Sequence, residues 1–279
     1  MDEDGSRRSR LLSGGEGTRS TLVTVTSTVV FFGVIGYLIV HSAGWPAFKQ
    51  SFFNAEEFKY SFPLILRKFV RNIFIFVVAE VLVLSLALLL AVLRSIPGPV
   101  FAPLRFLSAA YTDVFRAVPT ILVIFLLGYG MPALELQGVP ESDLFWAIMA
   151  LTLVYSAYVA EVYRAGIQSV HTSQTAAARS LGLSRWQSMR HVVLPQAVRR
   201  VIPPLLNDFI GLQKDSALVA LLGVTEAFRQ SQIITSSDGN FTPYVALALV
   251  YLVFTLPQTR FVDWLIARDR RRRQAGTDL

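Results

Sequence analysis

The chain has 279 residues, 53% of them hydrophobic and 16% charged, with a net charge of +7 at pH 7. Roughly 25% of residues are charged in soluble domains, so this composition excludes a water-soluble globular protein. The absence of Cys excludes disulfides, thiolate metal centres and cysteine nucleophiles.

Residues 1–20 are rich in Gly, Ser and charge and read as a disordered cytoplasmic tail. Within them, Ser6-Arg7-Arg8-Ser9-Arg10-Leu11-Leu12 resembles a twin-arginine export signal. The uncharged stretch 22–40 that follows is longer than the roughly 7–15 residues of a signal core and has no small-x-small cleavage site. A retained first span over 21–41 is therefore expected. Further apolar segments at 72–93, 115–131, 143–162, 200–222 and 243–262 complete the set. The fold class expected is an all-α integral membrane protein of about six transmembrane helices. The stretch 200–222 fits least well, because it opens with Pro203-Pro204 and carries Asn207, Asp208, Gln213, Lys214 and Asp215.

Charge sets the orientation. Of the 26 Lys and Arg, 19 fall before residue 20 or in 94–116, 164–200 and 260–273. Cytoplasmic loops collect Lys and Arg, so these segments and both termini are placed in the cytoplasm. The surplus of positive charge thus follows membrane topology, and nucleic acid is not expected as a partner. Lys49, Lys59, Arg67, Lys68 and Arg71 are exceptions on the opposite side. There Phe62 to Phe69 reads as an amphipathic interfacial stretch with snorkelling bases.

Between two apolar segments lies Gln-Thr-Ala-Ala-Ala-Arg-Ser-Leu-Gly-Leu-Ser-Arg-Trp-Gln-Ser-Met-Arg-His-Val-Val-Leu-Pro, residues 174–195. Ala176, Ala177 and Ala178 favour helix, Gly182 supplies a left-handed corner, and Ser184 with Gln187 forms a capping box for a second short helix. With Ser173 as N-cap of the first helix, Ala176 occupies its N3 position. Such a helix–corner–helix knob suits a groove on another protein, with Leu181, Leu183, Trp186 and Met189 as apolar contacts and Arg179 and Arg185 as rim charges.

The spacing Ala177-Ala178, Gly182 and Val192-Val193-Leu194-Pro195 resembles the EAA loop of the membrane subunits of ABC importers. Ala176 stands where that family has Glu. Three further segments resemble the polar amino-acid uptake branch, the histidine, glutamine, glutamate and arginine type: Tyr111 to Pro119, Glu161 to Gly166, and Leu212 to Leu218. The resemblance implies a type I importer core over 68–267 with a coupling loop at 172–195. Before it stand an extra helix and extracytoplasmic loop over 21–67, and after it a basic tail over 268–279. It implies a permease subunit that translocates polar or charged L-amino acids across the plasma membrane. The alternatives are an importer for another small zwitterion, opine- or ectoine-like, and an ion-coupled secondary transporter. Implied partners are two copies of a cytoplasmic ATPase, an extracytoplasmic amino-acid-binding protein, a second permease subunit (a copy or a paralogue) and membrane lipid. The ATPase-docking surface comprises Ala176, Ala177, Ala178, Leu181, Gly182, Leu183, Ser184, Arg185, Trp186, Leu194 and Pro195.

No Gly-x-x-x-x-Gly-Lys-Ser/Thr occurs, so ATP and Mg belong to the ATPase and no cofactor or enzymatic activity is expected in this chain. His41, His171 and His191 lack ligand spacing, and no metal site is expected. Charges within spans are costly and mark function by default. Glu80, Asp208, Gln213, Lys214, Asp215 and Ser216 are accordingly candidates for the amino-acid path. Asp208, Lys214 and Asp215 are expected to face the bundle interior, a cavity or an interface. Lys214 and Asp215 read equally well as an intrahelical or interhelical structural pair, and Glu80 as a tie between helices. Arg116 reads as a head-group anchor, and Pro119 as an ordinary helix-start proline. Gly128-Tyr129-Gly130 lacks the pore-helix setting of a potassium filter.

Overall fold

A computed structural model describes residues 3–275, with side chains described for 20–268. All regular elements among the described residues are helical. The chain divides into two units at Asn54/Ala55. The first contains α1 (Glu3–Val40) and α2 (Trp45–Phe52). The backbone of α1 is helical from Glu3, where the sequence suggests a disordered tail. Its span segment Ser20–Val40 has no buried residues within the chain, as suits a helix whose neighbour is lipid. In α2, Trp45, Phe48 and Phe52 stack along one face, the pattern of an interfacial helix.

The second unit is built around α6 (Asp143–Gln168), which begins where Ser142 accepts a hydrogen bond from the Phe145 N–H. Ala147, Ala150, Ala157 and Ala160 are buried along α6, and such small side chains let neighbouring backbones approach closely. Around it pack α3 (Ala55–Ser95), α4 (Ala102–Ala117), α5 (Thr120–Gly128) and α9 (Leu194–Asp215). Their shared core includes Ile75, Val83, Ile124, Leu151, Val154, Leu212 and Val219. The last helices, α10 (Ala227–Asp238) and α11 (Thr242–Ala275), close on the first half of α3.

Several sequence expectations are corrected. Among the described residues, four helical stretches are long and apolar enough to cross a membrane: Ser20–Val40, Trp45–Ser95, Asp143–Gln168 and Thr242–Arg268. A fifth is obtained if Ala102–Ala117 and Thr120–Leu134, bent by 104°, are taken together. The span expected at 115–131 is thus the second arm of a broken element. Pro119 disfavours helical geometry at Val118, whose extended backbone (φ −89°, ψ 131°) ends α4. The expected span at 200–222 resolves into α9, too polar to pass as a span on its own, and a 3-10 segment Ser216–Leu222 that stops at left-handed Gly223.

The interfacial reading of Phe62 to Phe69 also fails. At 41 residues α3 is about 60 Å long, twice a bilayer core. Its first half is packed against protein: Ile65 and Phe69 are buried against Ala227, Ala246, Leu247 and Val250. A buried polar knot fixes this end. Glu226 is fully buried and accepts from the Phe228 and Arg229 N–H groups (2.8 Å each) as N-cap of α10. Asn72 of α3 donates to Glu226 at 2.7 Å and accepts from the Ala227 N–H at 3.1 Å. A charge buried this deeply is tolerated only because every side of it meets a donor.

Candidate functional site

The loop between α6 and α9 folds as the knob expected. Helix α7 (Thr172–Ser180) ends in a complete Schellman motif. Gly182 sits at φ 84°, its N–H donates to Arg179 O (3.0 Å), and the Leu183 N–H donates to Ala178 O (3.2 Å). Ser184 then caps α8 (Arg185–Ser188) with both bonds of the capping box: Gln187 N–H to Ser184 Oγ at 3.2 Å and Ser184 N–H to Gln187 Oε1 at 2.8 Å. A π-helical turn, Met189–Val193, leads into α9, with Leu194 and Pro195 in its first turn.

One local expectation is wrong. The N-cap of α7 is His171, whose Nδ1 accepts from the Ser173 N–H at 3.2 Å, so Gln174 holds N3 and Ala176 lies in the second turn. A Glu at 176 would therefore not close a capping box, and the Ala there costs little helix stability.

The apolar face of the knob points outward. Leu181 is 82% and Trp186 70% exposed, with Met189 and Leu194 also exposed and Leu183 half-buried. Its inner face is anchored. Ala178 and Ser188 are buried, and Val170, Val193 and Ala197 form a small cluster with Ile167 that joins the ends of α6 and α9. Gly166 lets those two helices meet: a Cβ there would lie 2.0 Å from Val201 Cγ1. Arg200 donates to Ser169 O across the same junction. A push on the knob is thus delivered to α6 and α9 together.

Further along α6 and α9, Tyr158, Glu161, Val162, Ala165 and Asp208 line a pocket of about 180 Å³ together with Arg116 of α4. The bend at Pro119 leaves Arg116 at the last turn of α4, with its guanidinium 5.9 Å from the Tyr158 ring centroid and its carbonyl accepting from Tyr158 Oη at 3.4 Å. Oδ2 of Asp208 is buried without a hydrogen-bond partner. Glu161 is held by two arginines, Arg164 (Nε–Oε2 2.8 Å) and Arg94 (3.3 Å). The pocket lining thus carries one cation, Arg116, and two carboxylates, Glu161 and Asp208.

The six path candidates separate. Asp208 lines the pocket, and Glu80 of α3 is half-buried within electrostatic reach of it. Asp215 accepts from Tyr155 Oη at 2.9 Å, while Lys214 is exposed. Exposure of Lys214 follows from helix geometry, since neighbouring positions on α9 point about 100° apart. Gln213 and Ser216 are buried, and Ser216 Oγ accepts from Asn72 at 3.4 Å. Sequence reasoning missed Tyr158 and Glu161 as pocket residues and assigned Arg116 to head groups. An acidic residue followed three positions later by Arg at the end of a span was the available signal. Among the described residues no group of three or more His, Asp or Glu is placed to hold a metal ion.

Comparisons with known proteins agree with this geometry. Residues 96–271 match the family model described as "Binding-protein-dependent transport system inner membrane component". The "Probable amino-acid permease protein YxeN" of Bacillus subtilis is 37% identical over 197 residues, covering 70% of this chain and 87% of that protein. The "Glutamate/aspartate import permease protein GltK" of Escherichia coli O6:H1 is 35% identical over 215 residues, covering 75% and 94%. A solved structure described as an amino acid ABC transporter with histidines superposes with a TM-score of 0.68 at 31% identity, over 75% of this chain and 95% of that one. The chain is a member of the family of inner-membrane components of binding-protein-dependent transport systems.

Proposed function

We propose that the chain is the membrane-spanning permease subunit of an ATP-driven importer of polar or charged L-amino acids. The carrying observation is an outward apolar knob, with Leu181 and Trp186, joined through α6 and α9 to a pocket that holds both charges, Asp208 of α9 and Arg116 of α4. The knob seats in a cytoplasmic ATPase, two copies of which bind ATP and Mg. Their closure moves the knob, and with it α6 and α9. A receptor outside the membrane delivers the amino acid, and a second permease subunit completes the pathway in the plasma membrane, with the termini of this chain in the cytoplasm. Arg116 takes the α-carboxylate and Asp208 the ammonium group. Nucleotide drives the cavity from one side to the other through its different affinity for the two states.

The likeness to amino-acid permeases and to the solved amino-acid transporter supports this substrate class. The test is uptake of labelled L-glutamate, L-glutamine, L-arginine and L-histidine into proteoliposomes carrying the complete complex. ATP-dependent accumulation of at least one, lost with Arg116→Gln, is expected. Accumulation of none would refute the reading.

A further inference from the structure

Glu161 lines the pocket and, through Arg94, is also connected to α3 and α4. Both of its oxygens are engaged. Arg164, one turn along α6, grips it from the same helix through Nε (2.8 Å) and a terminal nitrogen. Arg94 reaches it from the last turn of α3 with a single 3.3 Å contact, and the same nitrogen donates to Thr112 Oγ1 of α4 at 3.2 Å. Thr112 is buried and passes its own proton to Ala109 O (2.8 Å), so it is a fixed acceptor. Arg94 is one polar link from α3 and α4 to α6, beside Tyr111 Oη of α4 on Leu153 O and Ser156 Oγ of α6, and it is the weaker of the two grips on Glu161.

We propose that Arg94 and Glu161 form a latch that the substrate opens. This rests on the pocket being the amino-acid site. The ammonium group that Asp208 takes carries three N–H donors, and one of them offers Glu161, on the same pocket, the kind of charge-assisted hydrogen bond that Arg94 supplies. The exchange leaves Arg94 on Thr112 and removes this polar tie to α6, while the apolar core between the helices stays in place. Arg164, bound through two nitrogens from its own helix, stays in place and keeps the carboxylate aimed at the pocket. Arg94 and Arg164 are positioning residues, and occupancy of the pocket is thereby converted into freedom of α6 to move with the knob.

The strengths fit this use. The Arg94, Glu161 and Arg164 side chains remain 28%, 21% and 30% exposed, and ion pairs with that much solvent contribute little to folding. A latch needs this property, since a deeply buried pair would not part during a transport cycle. Substrate and latch then compete for one carboxylate, so removing the latch imitates substrate.

The experiment uses the complete complex, receptor and ATPase included, in lipid nanodiscs, with ATP hydrolysis measured with and without L-glutamate, L-glutamine and L-arginine. In wild type, hydrolysis is low until amino acid is added. Arg94→Met is expected to raise the rate without amino acid by about tenfold, within the usual range of allosteric coupling, and to lower the KM for amino acid, because the competitor for Glu161 is gone. Arg94→Lys, which keeps the charge, is expected to restore the low rate. Should Arg94→Met fail to assemble, Arg94→Gln repeats the test with a donor retained and the charge removed. A wild-type ratio of stimulated to unstimulated hydrolysis in the assembled Arg94 variants would overturn the latch, as would failure of both to assemble, which makes Arg94 a folding residue. A wild-type complex without amino-acid stimulation would instead overturn the transport reading, and the latch with it.

Discussion

Gly182 separates conformational from steric effects cleanly. Its φ of 84° lies in the left-handed region, and a Cβ built there meets no atom within 4 Å. Any loss on substitution is therefore backbone strain. A single non-glycine residue in that region costs about 1–2 kcal/mol, with β-branched residues at the upper end or beyond. At about 2 kcal/mol, Gly182→Val lowers the population of the Schellman corner roughly 30-fold relative to its alternatives. The two bonds that set the angle between α7 and α8 are lost with it, namely Gly182 N–H to Arg179 O and Leu183 N–H to Ala178 O. Asn visits this region more readily, so Gly182→Asn is expected to retain most activity. The assay is ATP-driven amino-acid uptake by the reconstituted complex, alongside the amount of each variant in the membrane. Equal membrane levels with uptake in the order Gly, Asn, Val are expected. Uptake by Gly182→Val at the wild-type rate would refute the reasoning.

Other outcomes follow from the same geometry. Gly166→Ala forces a Cβ against Val201 and costs about 1–3 kcal/mol by overpacking; adding Val201→Ala should restore part of both thermal stability and uptake, as a double-mutant cycle would read out. Trp186→Ala removes an exposed side chain, so the melting temperature of the isolated permease should not change. ATPase association should weaken by about 2 kcal/mol or more if Trp186 is a docking anchor, as titration of the ATPase would reveal. Arg116→Gln and Asp208→Asn should each raise the KM for amino acid while membrane insertion stays normal, and an unchanged KM in both would remove the pocket from the pathway.

The knob was legible because it depends on local rules. Ser184 with Gln187, and Gly182 after three alanines, specify caps and a corner whatever surrounds them. His171 was missed as a cap because a histidine accepts through a ring nitrogen only in one tautomer, and propensity favours the serine beside it. The pocket was only half legible. Asp208 stands out as a carboxylate in a span, but Arg116, which lines the same pocket, comes from a helix more than 90 residues away in the chain and ends beside the bend at Pro119. Apolar runs located α6 and α11 well. They failed at α9, whose buried face is set by Leu212, Val201 and Ala197 while its other positions carry charge.

The most direct measurement compares proteoliposomes holding the permease alone with those holding it together with its ATPase and receptor. Concentrative amino-acid uptake is expected only in the second case, only with ATP, and not with Gly182→Val. Uptake against a gradient by this chain without a companion ATPase would contradict a subunit whose motion is supplied through its knob.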